Sequence, residues 1–162
     1  MFYVNARAFI EREGKQGTEL VIQTRNKPGE EALELPGGRI ELFESVHKAL
    51  IREVQEETGL TITRIEGASK RIDTIGINPD FEVECVEPFC VYQTLKGPVD
   101  SIGMYFICKA EGKLLEQGDE TKGATWKTLQ SLRTMIDQNP LQFSNVDRAG
   151  LKYYLKHRVV RD

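Results

Sequence analysis

The sequence predicts an α+β fold, on two observations. Apolar residues recur at every second position along several separate stretches, as they do on strands, and only three stretches carry the three-to-four-residue spacing of an amphipathic helix. No internal repeat or low-complexity linker divides the chain, so residues 1–162 are read as a single domain. With 162 residues and 40% apolar content, such a domain can bury roughly 70% of its unfolded surface.

The elements follow in order. Phe2, Val4, Ala6, Ala8 and Ile10 alternate with Tyr3, Asn5, Arg7 and Phe9, the period-two pattern of a half-buried strand. After the turn-rich EGKQG comes a second strand, ELVIQTR. Pro36-Gly37-Gly38 makes a sharp turn with little side-chain bulk, where backbone groups can approach a metal or a phosphate closely. Ser45 is a good N-cap and Gly59 a good C-terminal stop, which predicts a helix from about Val46 to Thr58. An extended stretch from Thr61 to about Ile77 precedes the irregular GINPDF, and in CVEPFCVYQTL the imino residue Pro88 implies an edge strand or a bulge. Turn residues in KGPVD lead to SIGMYFICKA, where Ile102, Met104, Phe106, Cys108 and Ala110 alternate inward. GATWK is a short strand. TLQSLRTMIDQ puts Leu129, Leu132, Met135 and Ile136 on one helical face before Asn139-Pro140 stops it, and Ser144 caps a last helix, SNVDRAGLKYYLKHR.

The net charge of −3, from 25 acids and 22 bases with no long like-charge block, suits neither a nucleic-acid backbone nor an anionic membrane as partner. Neither a secretory apolar region nor a run of transmembrane length is present, so a cytoplasmic protein is expected. Cys85, Cys90 and Cys108 match no zinc or redox spacing and are read as small buried hydrophobes. His47 and His157 have no evident partner and are read as structural or solvated. Trp126 could stack on a base, but inside a strand pattern it reads as core.

The predicted helix at 46–58 ends in an unusual way. At about 100° per residue Val46, Ala49 and Leu50 form an apolar face, and Glu53 and Glu57 continue that face while Glu56 borders it. Like charges one turn apart repel, and the last turn of a helix carries the negative end of its dipole. A hard cation with oxygen ligands, Mg²⁺ or Mn²⁺, relieves both objections. Arg52, four residues before Glu56, can pair with it and hold it in place. The competing reading, solvated surface glutamates in a good helix former, has to be weighed beside this one.

Gly38, Glu44 and then Arg52-Glu53-Val54-Gln55-Glu56-Glu57-Thr58-Gly59-Leu60 resemble, at every fixed position, the Nudix box G-x5-E-x7-R-E-U-x-E-E-x-G-U, with U apolar. The resemblance, to the MutT-like Nudix hydrolases, covers Gly38 to Leu60. It implies a mixed β-sheet sandwiched between helices, with the box forming loop, helix and loop. It also implies metal-dependent hydrolysis of a nucleoside diphosphate linked to another group, by attack of water on phosphorus. Glu53 and Glu57 would then be metal ligands, Glu56 a ligand or water-positioning group, and Arg52 their orienting partner. Glu44 would brace the loop or the helix, Gly38 and Gly59 would shape the box, and the carbonyl of Gly37 could reach a metal. Enzymes of this kind often add a glutamate from a later loop as ligand or general base, which points to Glu120, beside Asp119 and ahead of Trp126; Glu82, Glu84 and Glu87 are the competing source of a base.

Arg39, after the glycine turn, and Arg25, ending a strand, could grip phosphate oxygens. The implied partner is a small nucleotide, and a homodimer is an admissible state. The proline that often marks ADP-ribose enzymes some sixteen residues past the box is replaced here by Ile75-Gly76, with Pro79 three residues late, and the tyrosine of dinucleoside-polyphosphate enzymes is absent at Ile77. Nucleoside triphosphates, nucleotide sugars including ADP-ribose, and other diphosphates all stay open, as does a non-catalytic nucleotide-binding sensor or an interaction protein.

Overall fold

In the computed structural model, which describes residues 1–158, the first predicted strand runs as β1 (Phe2–Gly14) through the middle of the molecule. Its hairpin partner is β2 (Gly17–Arg25), and two short strands, β3 (Leu33–Glu34) and β4 (Gly37–Arg39), lead into α1 (Val46–Thr58). Next come β5 (Thr61–Ile65), a ribbon of β6 (Ile72–Asp73) and β7 (Glu84–Cys85), then β8 (Cys90–Gln93) and β9 (Asp100–Glu111). β10 (Gln117–Gly118), β11 (Thr121–Thr128), α2 (Leu129–Gln138) and α3 (Asn145–His157) complete the described chain.

Among the described residues, nine strands form one curled sheet with the main order β10-β11-β2-β1-β9-β5. It is mixed: β1 and β9 run parallel from the pair Phe2↔Asp100 to Ile10↔Cys108, and the other neighbours are antiparallel. Helices cover both faces. Ala6, Ala8, Ile10 and Val21 pack with Leu50 and Val54 of α1, whereas Phe9, Leu20 and Ile22 pack with Leu132 and Ile136 of α2 and Leu151 and Tyr154 of α3. The α+β sandwich expected from the sequence is therefore present. No described helix is long and apolar enough to cross a membrane.

One irregularity of the sheet positions the site. β1 pairs β2 only through Glu11–Gly14; nearer its start, at Asn5–Arg7, its partner is β4, while Gln23 and Thr24 of β2 turn to β3. The two central strands thus part, and the Leu33–Arg39 segment wedges between them. A backbone bond from Ala8 N–H to Pro36 O at 2.8 Å pins its sharp turn there.

Several expectations are corrected. β1 is buried on both faces from Ala6 to Ile10, because helices lie above and below it, so its alternation does not mark a half-exposed strand. The extended stretch from Thr61 stops at Ile65, where Gly67 turns the chain with φ 87° into a 3₁₀ turn at Ala68–Lys70. GATWK belongs to an eight-residue strand whose register shifts between Lys122 and Thr125. Cys108 is buried as expected, but Cys85 on the ribbon is exposed. Trp126 packs on the α1 side of the sheet with the Arg12 guanidinium 4.2 Å over its ring. His47 sets its ring edge-on to Phe106 at 5.3 Å, and His157 leans on Tyr153 at 4.5 Å.

Candidate functional site

α1 begins and ends as its residue types require, with one substitution of roles. Ser45 has the extended backbone of an N-cap but makes no side-chain cap bond. Its hydroxyl instead donates to Glu84 at 3.0 Å, and the other oxygen of Glu84 accepts from Val46 N–H at 2.8 Å. A carboxylate from the ribbon therefore supplies the cap, at the helix end where negative charge is favoured. At the other end Gly59 closes the helix with φ 78° and donates to Gln55 O.

The last carbonyls of α1 are taken up by the segment leading into β11. Thr58 O accepts from Leu115 N–H at 2.9 Å, Glu56 O from Asp119 N–H at 3.1 Å, and Glu57 O from the Thr121 hydroxyl at 3.1 Å. The approach is close enough that a Cβ on Gly118 would sit 1.9 Å from Glu57 O. This segment thus carries Asp119 and Glu120 to the acidic end of α1.

Glu53 and Glu57, one turn apart, point off the helix toward the wedge. A Cβ on Gly38 would come within 2.6 Å of the Glu53 carboxyl, so the glycine of the sharp turn is required by close approach. Arg52 organises the outer side: it makes a two-pronged contact with Glu44 at 2.8 and 2.9 Å, and its Nη1 reaches Glu53 at 3.0 Å and Glu56 at 3.3 Å. A further bond to Arg39 O at 3.2 Å ties the loop to the helix. Hydrogen bonds from Arg52 hold the Glu44 carboxyl down at about 2.

Glu57 is turned inward and is 6% exposed. One of its oxygens accepts from the Gln23 amide, the other from Gly37 N–H at 3.4 Å. The same Gln23 amide donates to Glu34 at 3.2 Å, its neighbour across the β2–β3 pair. Glu34 in turn lies 3.7 Å from Arg7, which makes a two-pronged contact with Asp147 of α3 at 2.9 and 3.0 Å and donates to Leu35 O. A continuous polar chain therefore crosses the gap where β1 and β2 part, from the first turn of α3 to the last turn of α1. Burial, aided by the Glu34 charge and opposed by Arg7, pushes Glu57 up to about 9; burial also raises Glu53, against the pull of Arg52.

The remaining candidates sit as follows. Glu120, with φ 54°, is fixed by Asn26 N–H donating to its carbonyl at 2.7 Å, and its carboxylate pairs with Lys27 at 3.0 Å. Arg39 stacks 4.2 Å over the Tyr3 ring, and Arg25 pairs with Glu34 at 3.5 Å and Glu30 at 3.6 Å. Of the competing acids, Glu84 caps the opposite end of α1, which removes it from the site; Glu87 is paired with Lys70 at 2.9 Å, and Glu82 accepts from Gly76 N–H at 2.8 Å.

The donor set fits a hard divalent cation: carboxylate oxygens of Glu53, Glu56 and Glu57 beside the Gly37 backbone, with no sulfur or imidazole among them. Among the described residues, Gln23 Oε1, buried beside them, has no hydrogen-bond partner. Among the described residues no three acidic, His or Cys side chains already close on one point, since Glu56 leans on Arg52 and Glu57 on Gln23.

This electrostatic state has a pH consequence. A carboxyl near 4.5 in the unfolded chain and near 9 when folded favours folding only while it is protonated. Its contribution is complete below about 4.5 and is lost as pH rises toward about 9; Glu44, held at about 2, acts oppositely and loses its contribution only below about 4.5. Chelator-treated protein is therefore expected to lose on the order of a few kcal/mol between about pH 5 and 9. Saturating Mg²⁺ should flatten that slope. Urea midpoints across the range check it, and a chelated profile that rises with pH would show that Glu57 ionises freely.

Gln23, Glu34, Arg7 and Asp147 were not singled out from the sequence. A faint signal exists for two of them, a polar Gln23 on the strand face of Val21 and an Arg7 between Ala6 and Ala8.

The family model described as NUDIX domain matches residues 1–146. The ADP-ribose pyrophosphatase of Methanocaldococcus jannaschii is 32% identical over 123 residues, 76% of this chain and 60% of that protein, so the chain spans three fifths of that relative's length. Among solved structures, a MutT NUDIX hydrolase from Burkholderia pseudomallei aligns with TM-score 0.64 at 16% identity, covering 98% of this chain and 99% of that one. The NUDIX domain of Shewanella oneidensis NrtR complexed with ADP ribose aligns with TM-score 0.60 at 16% identity, covering 83% and 77%.

Proposed function

The chain belongs to the Nudix family, and from that premise we propose that it is a pyrophosphohydrolase dependent on Mg²⁺ or Mn²⁺. The substrate is a small nucleoside diphosphate linked to another group. Within that class ADP-ribose comes first, because the curated relative at 32% identity is an ADP-ribose pyrophosphatase. The observation that carries the reading is the pairing of Glu53 and Glu57 one turn apart against the Gly37-Gly38 turn, with Arg52 held in place by Glu44.

When bound, the cation supplies positive charge that neutralises the diphosphate and acidifies the attacking water. Glu53, Glu56 and Glu57, with the Gly37 carbonyl, would hold it. Arg52 orients Glu53 and Glu56 from the outside, and the buried chain through Gln23 holds Glu57 from the inside. Arg39 and Arg25 can receive the phosphates at the rim by exchanging Tyr3 and Glu30 for phosphate oxygens. Water oxygen attacks one phosphorus, the bridging P–O bond breaks, and the water proton passes to a carboxylate. From ADP-ribose the products are AMP and ribose 5-phosphate.

Glu120 is proposed as that carboxylate or as a further ligand. Glu120→Gln is expected to lower kcat by about 10²-fold with KM nearly unchanged, while Glu82→Gln and Glu87→Gln do much less. A normal kcat for Glu120→Gln sinks the assignment and leaves the helix glutamates untouched.

The test of the function is a panel of ADP-ribose, other nucleotide sugars and nucleoside triphosphates, assayed for released nucleotide or phosphate with Mg²⁺, Mn²⁺ or EDTA. Turnover of at least one diphosphate is expected, and chelation should abolish it. Full activity in EDTA would refute the mechanism. Inactivity across the panel, with nucleotide binding retained, would favour a sensor domain instead.

A further inference from the structure

The side chain of Gln23 is fully buried, yet it presents both of its N–H groups to acidic side chains and leaves its own carbonyl oxygen without a donor among the described residues. In that orientation one amide bridges both acidic side chains. Turning the amide over would aim its oxygen at Glu34 and Glu57, and an aliphatic residue would leave two buried carboxylates facing each other with nothing between them. The stranded oxygen costs free energy, which the two bonds to Glu34 and Glu57 offset.

We propose that Gln23 is a positioning residue for the cation site, setting the place of the Glu57 carboxylate by bridging it to Glu34. The bridge is rigid at its far end. Gln23 and Glu34 are partners in the β2–β3 pairing, and Glu34 is flanked by Arg7 at 3.7 Å and Arg25 at 3.5 Å, so the amide cannot drift along the strand. Glu57 receives from it one oxygen-specific bond, while Gly37 N–H approaches the other oxygen. The carboxylate is thereby held beside the backbone of the glycine turn and next to Glu53, where a cation would have to lie to touch both. Outer partners of this kind commonly change metal affinity or activity by 10- to 100-fold when removed. The inference rests on the cation-dependent reading of the site.

The test is Gln23→Met, which keeps length and burial and removes both N–H groups. Mn²⁺ binding in the absence of substrate is measured by the electron paramagnetic resonance signal of the free ion, alongside kcat and KM. The expected result is Mn²⁺ affinity lower by at least about tenfold, with kcat reduced and KM for the nucleotide little changed. Gln23→Asn, whose amide is one methylene too short to span both carboxylates, should weaken binding as well. In the parent protein the Gln23 side-chain amide resonances should move when Mg²⁺ is added, which requires no variant to fold. Mn²⁺ affinity and kcat within twofold of the parent in a folded variant, or an amide pair unmoved by Mg²⁺, would overturn the positioning role while leaving the cation site standing. A parent that binds no Mn²⁺ would overturn the cation site and this role with it.

Discussion

Glu57→Gln is expected to lower turnover by at least about 10²-fold, the size of effect seen when one electrostatic stabiliser of a transition state is removed. The substitution keeps the shape of the side chain, and its amide oxygen can still accept from Gln23. What it removes is a charge that the metal-free protein is poorly placed to hold, 6% exposed and close to both Glu34 and Glu53. Stability without metal should therefore be unchanged or raised at neutral pH, and the loss of stability between about pH 5 and 9 should largely vanish. Stabilisation by added Mg²⁺ should shrink at the same time, since a ligand that binds only the folded state raises stability in proportion to its affinity. Kinetics at saturating Mg²⁺ and urea melts with and without EDTA check the three effects together. Activity within a few-fold of the parent would mean that the end of α1 is not where the cation binds.

What could be read in advance divides along the range of the interactions. The C-terminal boundary of α1 was legible because Gly59 acts within a few residues of itself; Ser45 marks the start by its extended backbone but makes no cap bond, and the inward-facing glutamates were legible because helical periodicity is local. Arg52 with Glu56 followed from four-residue spacing, and the structure has that pair at 3.3 Å. Local spacing did not reveal that the N-terminal cap would be Glu84, 38 residues away. Nor could it join Arg7 to Asp147 across 140 residues, or bring Gln23 to Glu57 across 34. Those contacts exist because β1 changes partner from β2 to β4, a topological event with no signature in the alternation of either strand. The exposed and buried faces of β1 were misjudged for the same reason: period two reports one face, and only the helices packed on the other show that it too is covered.

Asp147→Ala is expected to be among the most destabilising single changes, costing about 3–5 kcal/mol, the range for breaking a buried charge pair by removing one partner. The carboxylate is fully buried and accepts from Arg7 Nε at 2.9 Å and Nη2 at 3.0 Å, Leu35 N–H at 2.9 Å, the Tyr105 hydroxyl at 2.7 Å and the Ser144 hydroxyl at 2.9 Å. Alanine would strand the Arg7 guanidinium, itself 6% exposed, with only Leu35 O and Glu34 in reach. It would also release Leu35 N–H, one of the bonds that fix the approach to the Pro36-Gly37 turn, so the loss should extend to the site that turn lines. For a chain of 162 residues the stability loss corresponds to a fall in Tm of roughly 6–20 °C. Asp147→Asn, which retains an acceptor but not the charge, should fall between alanine and the parent. Pairing Asp147→Leu with Arg7→Met should recover part of the loss, because the stranded charge is gone. Recovery should be incomplete, because Glu34 then loses its closest buried cation while still facing Glu57 through Gln23. Calorimetric melts of the three variants and the parent in EDTA measure this directly. A double variant less stable than Asp147→Ala would show that the Arg7–Asp147 pair is not the source of the loss, and would shift the weight to the Leu35 and Tyr105 bonds.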